Sequence, residues 1–529
     1  MKAIFLAFAA MLAVMPASAA PDGGFAHRWF LVFGIDFSND DAQLEKLCGL
    51  VRTAKDHGYN GLVFSSWCGL EVLHTPVWTP QRRERLMKVK RLCDELGMEI
   101  GVSTWSFGYA RQGFFHTDPN LSAAAPVFDT RYVVKGGKCV HQPRPERVLL
   151  DTPGTLHSPR RDEDLADIHV DVTPRKSYAL SITAKASGKS DTWPIAVHVR
   201  RPGAKQDHLE ARDFKVKTDG SEQQFTVYFA SLAETNLTIE CRGYNRIFGG
   251  RATVTSLVLA ETEPRLVIRR SGTPVRVRRV SDGRKFVEGV DYAPIPKAKG
   301  TWPGPWVKPK FAVTPLAGGA IAEGDELSVD CFCSFPTWGK WTSACMAAPE
   351  MFEVMDASAA EIARVLNPKV WSLGFDEVRT GGGCVDCRKI GDMAHVYAAC
   401  VKKAMAIVRK YRPDAEIILP NDMVDPFYMT DDGKYAGLYS SMKGVWDLLP
   451  RDLGIDCWTY STREKCPQYF AERGHPIWIA AYYDEKELKR SVEWRDIARK
   501  IPGVRGMSYC TYGNHWDLLG PFGDMIREP

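Results

Sequence analysis

Residues 29–37, 40–58, 61–67, 80–97 and 99–107 read WFLVFGIDF, DDAQLEKLCGLVRTAKDHG, GLVFSSW, PQRRERLMKVKRLCDELG and EIGVSTWSF. Short apolar runs alternate here with longer stretches whose apolar residues recur every three to four positions, so strand, helix, strand, helix and strand follow in turn. That order is the signature of a parallel sheet, because parallel neighbours need a crossover that a helix supplies. The rhythm stops after residue 108 and returns after 351. Helical periodicity over 351–367, 393–411, 467–474 and 486–500 then accompanies apolar runs at 370–375, 415–421, 453–461, 476–483 and 504–512. Three strands precede the interruption and five follow it, and eight parallel strands alternating with helices close into a (β/α)8 TIM barrel of the α/β class.

Within the interruption the period changes from helical to two. Runs such as YALSITAKA (178–186), WPIAVHVR (193–200) and ATVTSLVLA (252–260) alternate apolar and polar residues and are parted by Gly, Pro, Asp and Asn. This pattern predicts an antiparallel, jelly-roll-like β-sandwich inserted after the third barrel strand. GDELSVDCFCSF (324–335) is read as the return strand of the insertion, since counting it in the barrel would give nine strands. The expected division is a leader over 1–19, barrel over 20–138, insertion over 139–335 and barrel again over 336–529.

Composition narrows the class. With 529 residues, 45% hydrophobic and 25% charged, the chain can bury a large core, which excludes collagen-like, disordered and coiled-coil classes. A net charge of +5 is too small over this length to make nucleic acid the expected partner. Lys2, the apolar run after it and Ala17-Ser18-Ala19 form a secretory signal, so a mature chain beginning at Ala20 and exported to the periplasm or beyond is expected. No later run of about 18 apolar residues predicts a membrane span. The 14 Cys are scattered, and a mixture of bridges and buried thiols is expected. Cys384 and Cys387 offer half of a zinc site, but no second CxxC or HxxxH accompanies them, so neither metal nor cofactor is expected.

Active sites of such barrels lie at the C-terminal ends of the strands. That rule selects Asp376 and Glu377 after the fourth strand, followed by the Gly-rich 381–383. Adjacent carboxyls repel, which makes one of them easier to protonate, as a general acid requires. The competing role is capping the next helix or pairing with Arg379. Strand seven ends in Tyr482-Tyr483-Asp484 and strand six in Trp458-Thr459-Tyr460. Trp67 and Trp105 end strands two and three, Asn421 and Asp422 strand five, and Tyr512 strand eight. Taken singly, each aromatic is as well explained by packing. Together, carboxyls ringed by these aromatic platforms suit a sugar, whose faces stack on indole and phenol rings.

Gly374-Phe375-Asp376-Glu377 resembles the Gly-x-Asp-Glu motif of the family 20 glycoside hydrolases, the β-N-acetylhexosaminidases. Trp458 is similar in place to that family's platform Trp on strand six, and Tyr482-Tyr483-Asp484 to its Tyr-x-Asp on strand seven. The last strand differs: where the family offers Trp-x-Glu, this chain has Tyr509-Cys510-Thr511-Tyr512. The resemblance covers the barrel. It implies a secreted glycoside hydrolase acting by substrate-assisted retaining catalysis. Glu377 would be proton donor, Asp376 would orient a 2-acetamido group that attacks the anomeric carbon, and Tyr482 would bond that group's oxygen. Trp458 would wall the pocket and Asp484 hold ring hydroxyls, with Trp67, Trp105, Asp422, Tyr460 and Tyr512 as further substrate-binding candidates. Two alternatives stand beside it: a retaining glycosidase with Asp484 or Glu485 as nucleophile, and a glycan-binding protein without turnover. The expected partner is an oligo- or polysaccharide. The run from 263 to 310, with 12 Lys/Arg against 4 Asp/Glu, is either a solvated ribbon or a face for anionic glycans.

Overall fold

Eight parallel strands close into a barrel: β1 (His27–Val32), β2 (Gly61–Phe64), β3 (Glu99–Thr104), β4 (Val370–Leu373), β5 (Glu416–Pro420), β6 (Gly454–Cys457), β7 (Ile477–Tyr483) and β8 (Val504–Cys510). β8 returns to β1 in register Trp29↔Ser508, which closes the ring. The structure is a computed structural model describing residues 24–528 except 111–113, 115–117, 159, 203–207, 244–249, 300–310, 335–341 and 430–436. The expected leader therefore lies outside the described residues. No described helix is long and apolar enough to cross a membrane.

The helices begin where their capping chemistry places them. Asp40 accepts from Gln43 N at the start of α1 (Asp41–Asp56), and Thr79 caps α2 (Pro80–Glu95), whose first residue is a proline. α1 buries Leu44, Leu47, Cys48, Val51 and Ala54, the apolar stripe at helical spacing. After α3 (Pro349–Leu366), Asn367 turns the chain in the left-handed region (φ 49°) and leads it into β4.

Two indoles fill the lower half of the barrel. Trp29 and Trp478 are 5.7 Å apart edge to face, and with Val63, Val370 and Ile418 they form one buried cluster. Trp29 fits only because its neighbours are glycines: a Cβ on Gly61 or Gly101 would stand 2.4 or 2.5 Å from the indole. Below, His27 stacks on Trp478 and bonds Glu416 at 3.1 Å, and Arg505 bonds Glu416 at 2.8 Å. The N-terminal end is thereby plugged, and the open space lies at the C-terminal end.

The antiparallel strands expected between β3 and β4 are present and form two sheets. In the eight-stranded sheet, the runs at 178–186 and 193–200 belong to one continuous strand, Ser177–Arg200. The five-stranded sheet contains Glu326–Cys333, which stays out of the barrel as expected and pairs with Ala125–Lys135, a segment ahead of residue 139. Three arginines of the basic run are paired with carboxylates. Arg269 pairs with Glu288 at 2.7 Å, Arg278 with Asp330 at 3.0 Å and Arg279 with Asp282 at 3.0 Å. The expected disulfides are not formed: all fourteen cysteines are free thiols, twelve of them buried.

Candidate active site

At the C-terminal end of the barrel a cavity of about 320 Å³ is lined by Asp376 and Glu377 together with Trp67, Trp458, Tyr483 and Tyr512. Ser372, Gly374 and Asp376 keep the period-two phase of β4 and point inward, whereas Phe375 is buried on the other side. Glu377 joins Asp376 on the cavity wall because the chain turns there, with φ 45° in the left-handed region. Such backbone is costly for a non-glycine residue and persists where the surroundings hold it. Here the loop after β3 supplies the support: Phe107 N donates to Gly374 O at 2.9 Å, and Gly108 passes so close that a Cβ would stand 2.2 Å from Asp376 O.

Glu377 is held on three sides. Its Oε2 accepts from the Tyr109 hydroxyl and, at 2.5 Å, from Arg379 Nη2, which also reaches the Tyr109 oxygen at 3.1 Å. Its backbone N–H donates to Asp422 Oδ2 at 2.8 Å. The ion pair with Arg379, one of the competing roles read from the sequence, is thus part of the site. Asp422 is fully buried behind Glu377, and desolvation plus the facing Asp376 and Glu377 push its carboxyl well above the usual range. Burial likewise raises Asp376, with Arg379 pulling the other way. Deeper in the cavity, burial alone lifts Asp456 to about 7, and its Oδ1 has no hydrogen-bond partner.

The aromatic wall is continuous. Trp458 lies parallel to Tyr483, with centroids 6.2 Å apart, and Tyr483 leads to Tyr512 at 4.9 Å and Phe33 at a further 4.6 Å. Phe33 in turn meets Trp67 at 5.1 Å.

Other expected residues stand elsewhere. Tyr482 is fully buried, stacked on Tyr509 at 4.2 Å, and its hydroxyl donates to Glu485 O at 2.7 Å, away from the cavity. The reason is a bulge in β7: pairing with β8 slips between Ala480 and Tyr482, so Tyr483 takes the inward position that strict alternation assigns to Tyr482. Asp484 holds the turn after β8, accepting from Thr511 Oγ1 and, at 2.8 Å each, from Tyr512 N and Gly513 N. Trp105 is fully buried against Trp371, and the Tyr460 hydroxyl bonds Glu493. Asn421 accepts from Trp458 N at 3.0 Å and so positions that indole's backbone.

Sequence reasoning missed Asp456, Tyr483 and Tyr109 as members of the site. Asp456 shares its phase with Trp458, so alternation along β6 could have found it. Tyr109 carries no such signal, because it lies in the loop after β3 and reaches a partner 268 residues away.

No protein-family model matches the chain, and no curated protein matches it. Among solved structures, partial likenesses occur. A β-N-acetylhexosaminidase shares 14% identity over 35% of this chain and 43% of its own, with a TM-score of 0.26. The GH20 β-N-acetylhexosaminidase from Streptomyces coelicolor A3(2) shares 15% over 36% of this chain and 40% of its own, TM-score 0.24. The CBM22-1 xylan-binding domain of Xyn10C from Paenibacillus barcinonensis shares 11% over 27% of this chain and 99% of its own, TM-score 0.16. The chain spans less than half the length of either hexosaminidase.

Proposed function

We propose that this chain is an exported glycoside hydrolase acting on a glycan with a 2-acetamido sugar. The observation that carries the reading is one cavity, at the C-terminal end of a parallel barrel, in which Asp376 and Glu377 face an arc of Trp67, Trp458, Tyr483 and Tyr512. Its volume, about 320 Å³, is at the small end for ligand pockets and suits a single ring of an oligosaccharide. A second cavity of about 340 Å³ adjoins it across Trp67 and offers room for the remainder of the chain being cut. Glu377 donates the proton to the glycosidic oxygen and Asp376 orients the acetamido group. With Tyr482 turned away, Tyr483, the next residue on the same strand, offers that group a phenol in its place.

A protein nucleophile from strand seven fits the geometry less well. Asp484 already accepts three hydrogen bonds, and Glu485 is paired with Arg490 at 2.9 Å. One observation favours a second reading of the acid: burial raises the Asp376 carboxyl, which suits a group that must carry a proton.

The experiment is a screen of chromogenic glycosides with and without a 2-acetamido group, run on the full chain and on Glu377→Gln. Turnover confined to acetamido substrates, and slowed in the variant on those whose leaving group needs a proton, supports the proposal. Glycan binding without turnover, unchanged in the variant, identifies a binding protein instead.

A further inference from the structure

We infer that the chain holds a zinc ion through the thiolates of Cys345, Cys384 and Cys387. These three sulfurs converge from two segments, with Sγ to Sγ distances of 3.7 Å (Cys345 to Cys384), 4.0 Å (Cys345 to Cys387) and 3.4 Å (Cys384 to Cys387). Tetrahedral Zn–S bonds of about 2.3 Å put neighbouring sulfurs about 3.8 Å apart, which lies within the range of spacings seen here. A disulfide would need about 2.05 Å and would consume only two of the three. All three cysteines are buried, and their ligand atoms lie within 4.8 Å of one another.

Charge supplies an independent observation. The Arg270 guanidinium lies against the three sulfurs, with Cys384 as a hydrogen-bonding neighbour, and its Nε and Nη1 are shielded from water with no oxygen acceptor; Nη2 donates to Ser122 O at 3.2 Å. A buried cation left like this is costly unless an anion faces it. Three thiolates around Zn²⁺ carry one net negative charge, which Arg270 neutralises. Three neutral thiols, or a disulfide with one thiol, provide no such charge. No fourth Cys, His, Asp or Glu joins the cluster among the described residues.

The site would brace the loop that carries Glu377. Two residues before Cys345, the Ser343 hydroxyl accepts from Arg379 N at 3.2 Å and Thr380 N at 3.1 Å. On the other side Val385 N donates to Gly272 O at 3.0 Å, and Gly272 admits Asp386 so closely that a Cβ would stand 2.2 Å from Oδ2. Zinc therefore ties residues 270–272, 343–345 and 384–387 into one knot beside the cavity.

The test is metal content of the full chain purified under reducing conditions and dialysed against zinc, with cobalt as a spectroscopic substitute. One zinc per chain and an intense tetrahedral cobalt–thiolate spectrum are expected. Cys345→Ser, Cys384→Ser and Cys387→Ser should each lose the metal, while Cys241→Ser, remote from the cluster, keeps it. Arg270→Gln should weaken retention by about 10- to 100-fold, as loss of an outer-shell partner does. The cobalt spectrum of the unmodified chain reads the site even if the variants fail to fold. The inference is overturned if that chain takes up neither metal, or if denatured protein shows two thiols fewer before reduction than after, with Cys384 and Cys387 joined.

Discussion

Glu377 meets two donors on one oxygen, so among the described residues Oε1 is the oxygen left for a substrate. If Glu377 is the acid, Glu377→Gln costs about 10²- to 10⁴-fold on glycosides whose leaving group needs a proton, and little on activated aryl glycosides. Asp376→Asn then slows every substrate alike. Rates on a graded series of aryl leaving groups check this, and the reverse pattern assigns the acid to Asp376. Asp456 makes a second expectation at this scale. Its folded carboxyl titrates at about 7 against an ordinary 3.8, so the folded state binds the extra proton between those values. Stability is therefore lost as pH rises from about 4 to 7 and stays lost above, a penalty on the order of 4 kcal/mol at most. Asp456→Asn should raise the Tm at pH 8 and leave it nearly unchanged at pH 4, as thermal unfolding across that range would show.

At the scale of the element, the β7 bulge decides which of two adjacent tyrosines sees the ligand. Strict alternation from Trp478 and Ala480 points Tyr482 into the barrel; one unpaired residue reverses this. Tyr483→Ala is expected to raise KM about tenfold, equivalent to about 1.4 kcal/mol, with Tm little changed. Tyr482→Phe removes the hydrogen bond to Glu485 O, so it should lower stability by about 1 kcal/mol and leave KM alone. Steady-state kinetics and melting of the two variants separate the roles.

For the whole molecule, the two antiparallel sheets stand in different relations to the barrel. Buried residues of the eight-stranded sheet, such as Leu180, Val197, Val227 and Leu257, form their own cluster. Tyr132, Val277, Leu327 and Val329 of the five-stranded sheet also cluster by themselves, but Phe332 of that sheet and nearby Ile268 pack into the barrel's cluster. The first and last strands of the larger sheet lie side by side, with Arg147 opposite Leu259 and Val148 opposite Val258. Replacing residues 147–262 by a short Gly-Ser linker should therefore leave a cooperatively folding protein with turnover of small chromogenic glycosides. A loss of cooperative melting in that deletion would show the larger sheet to be part of the barrel's folding unit.

The barrel was legible in the sequence because helix and strand periods record which face of a local segment meets the core, over spans of a few residues. WFLVFGIDF and VWSLGF declare themselves without reference to the rest of the chain, and so does the acidic pair at the end of β4. Asp376, Glu377, Trp67, Trp458 and Tyr512 follow from the rule that strand ends gather at one mouth, and all five line the cavity. What periodicity cannot carry is the identity of a polar atom's partner once the ring has closed. The Tyr109 to Glu377 bond spans 268 residues, the slip in β7 depends on its register with β8, and Cys345 reaches the CxxC pair only through the folding of the segment ahead of α3. Those partnerships are set by packing between distant segments, which is why tertiary structure alone decided them.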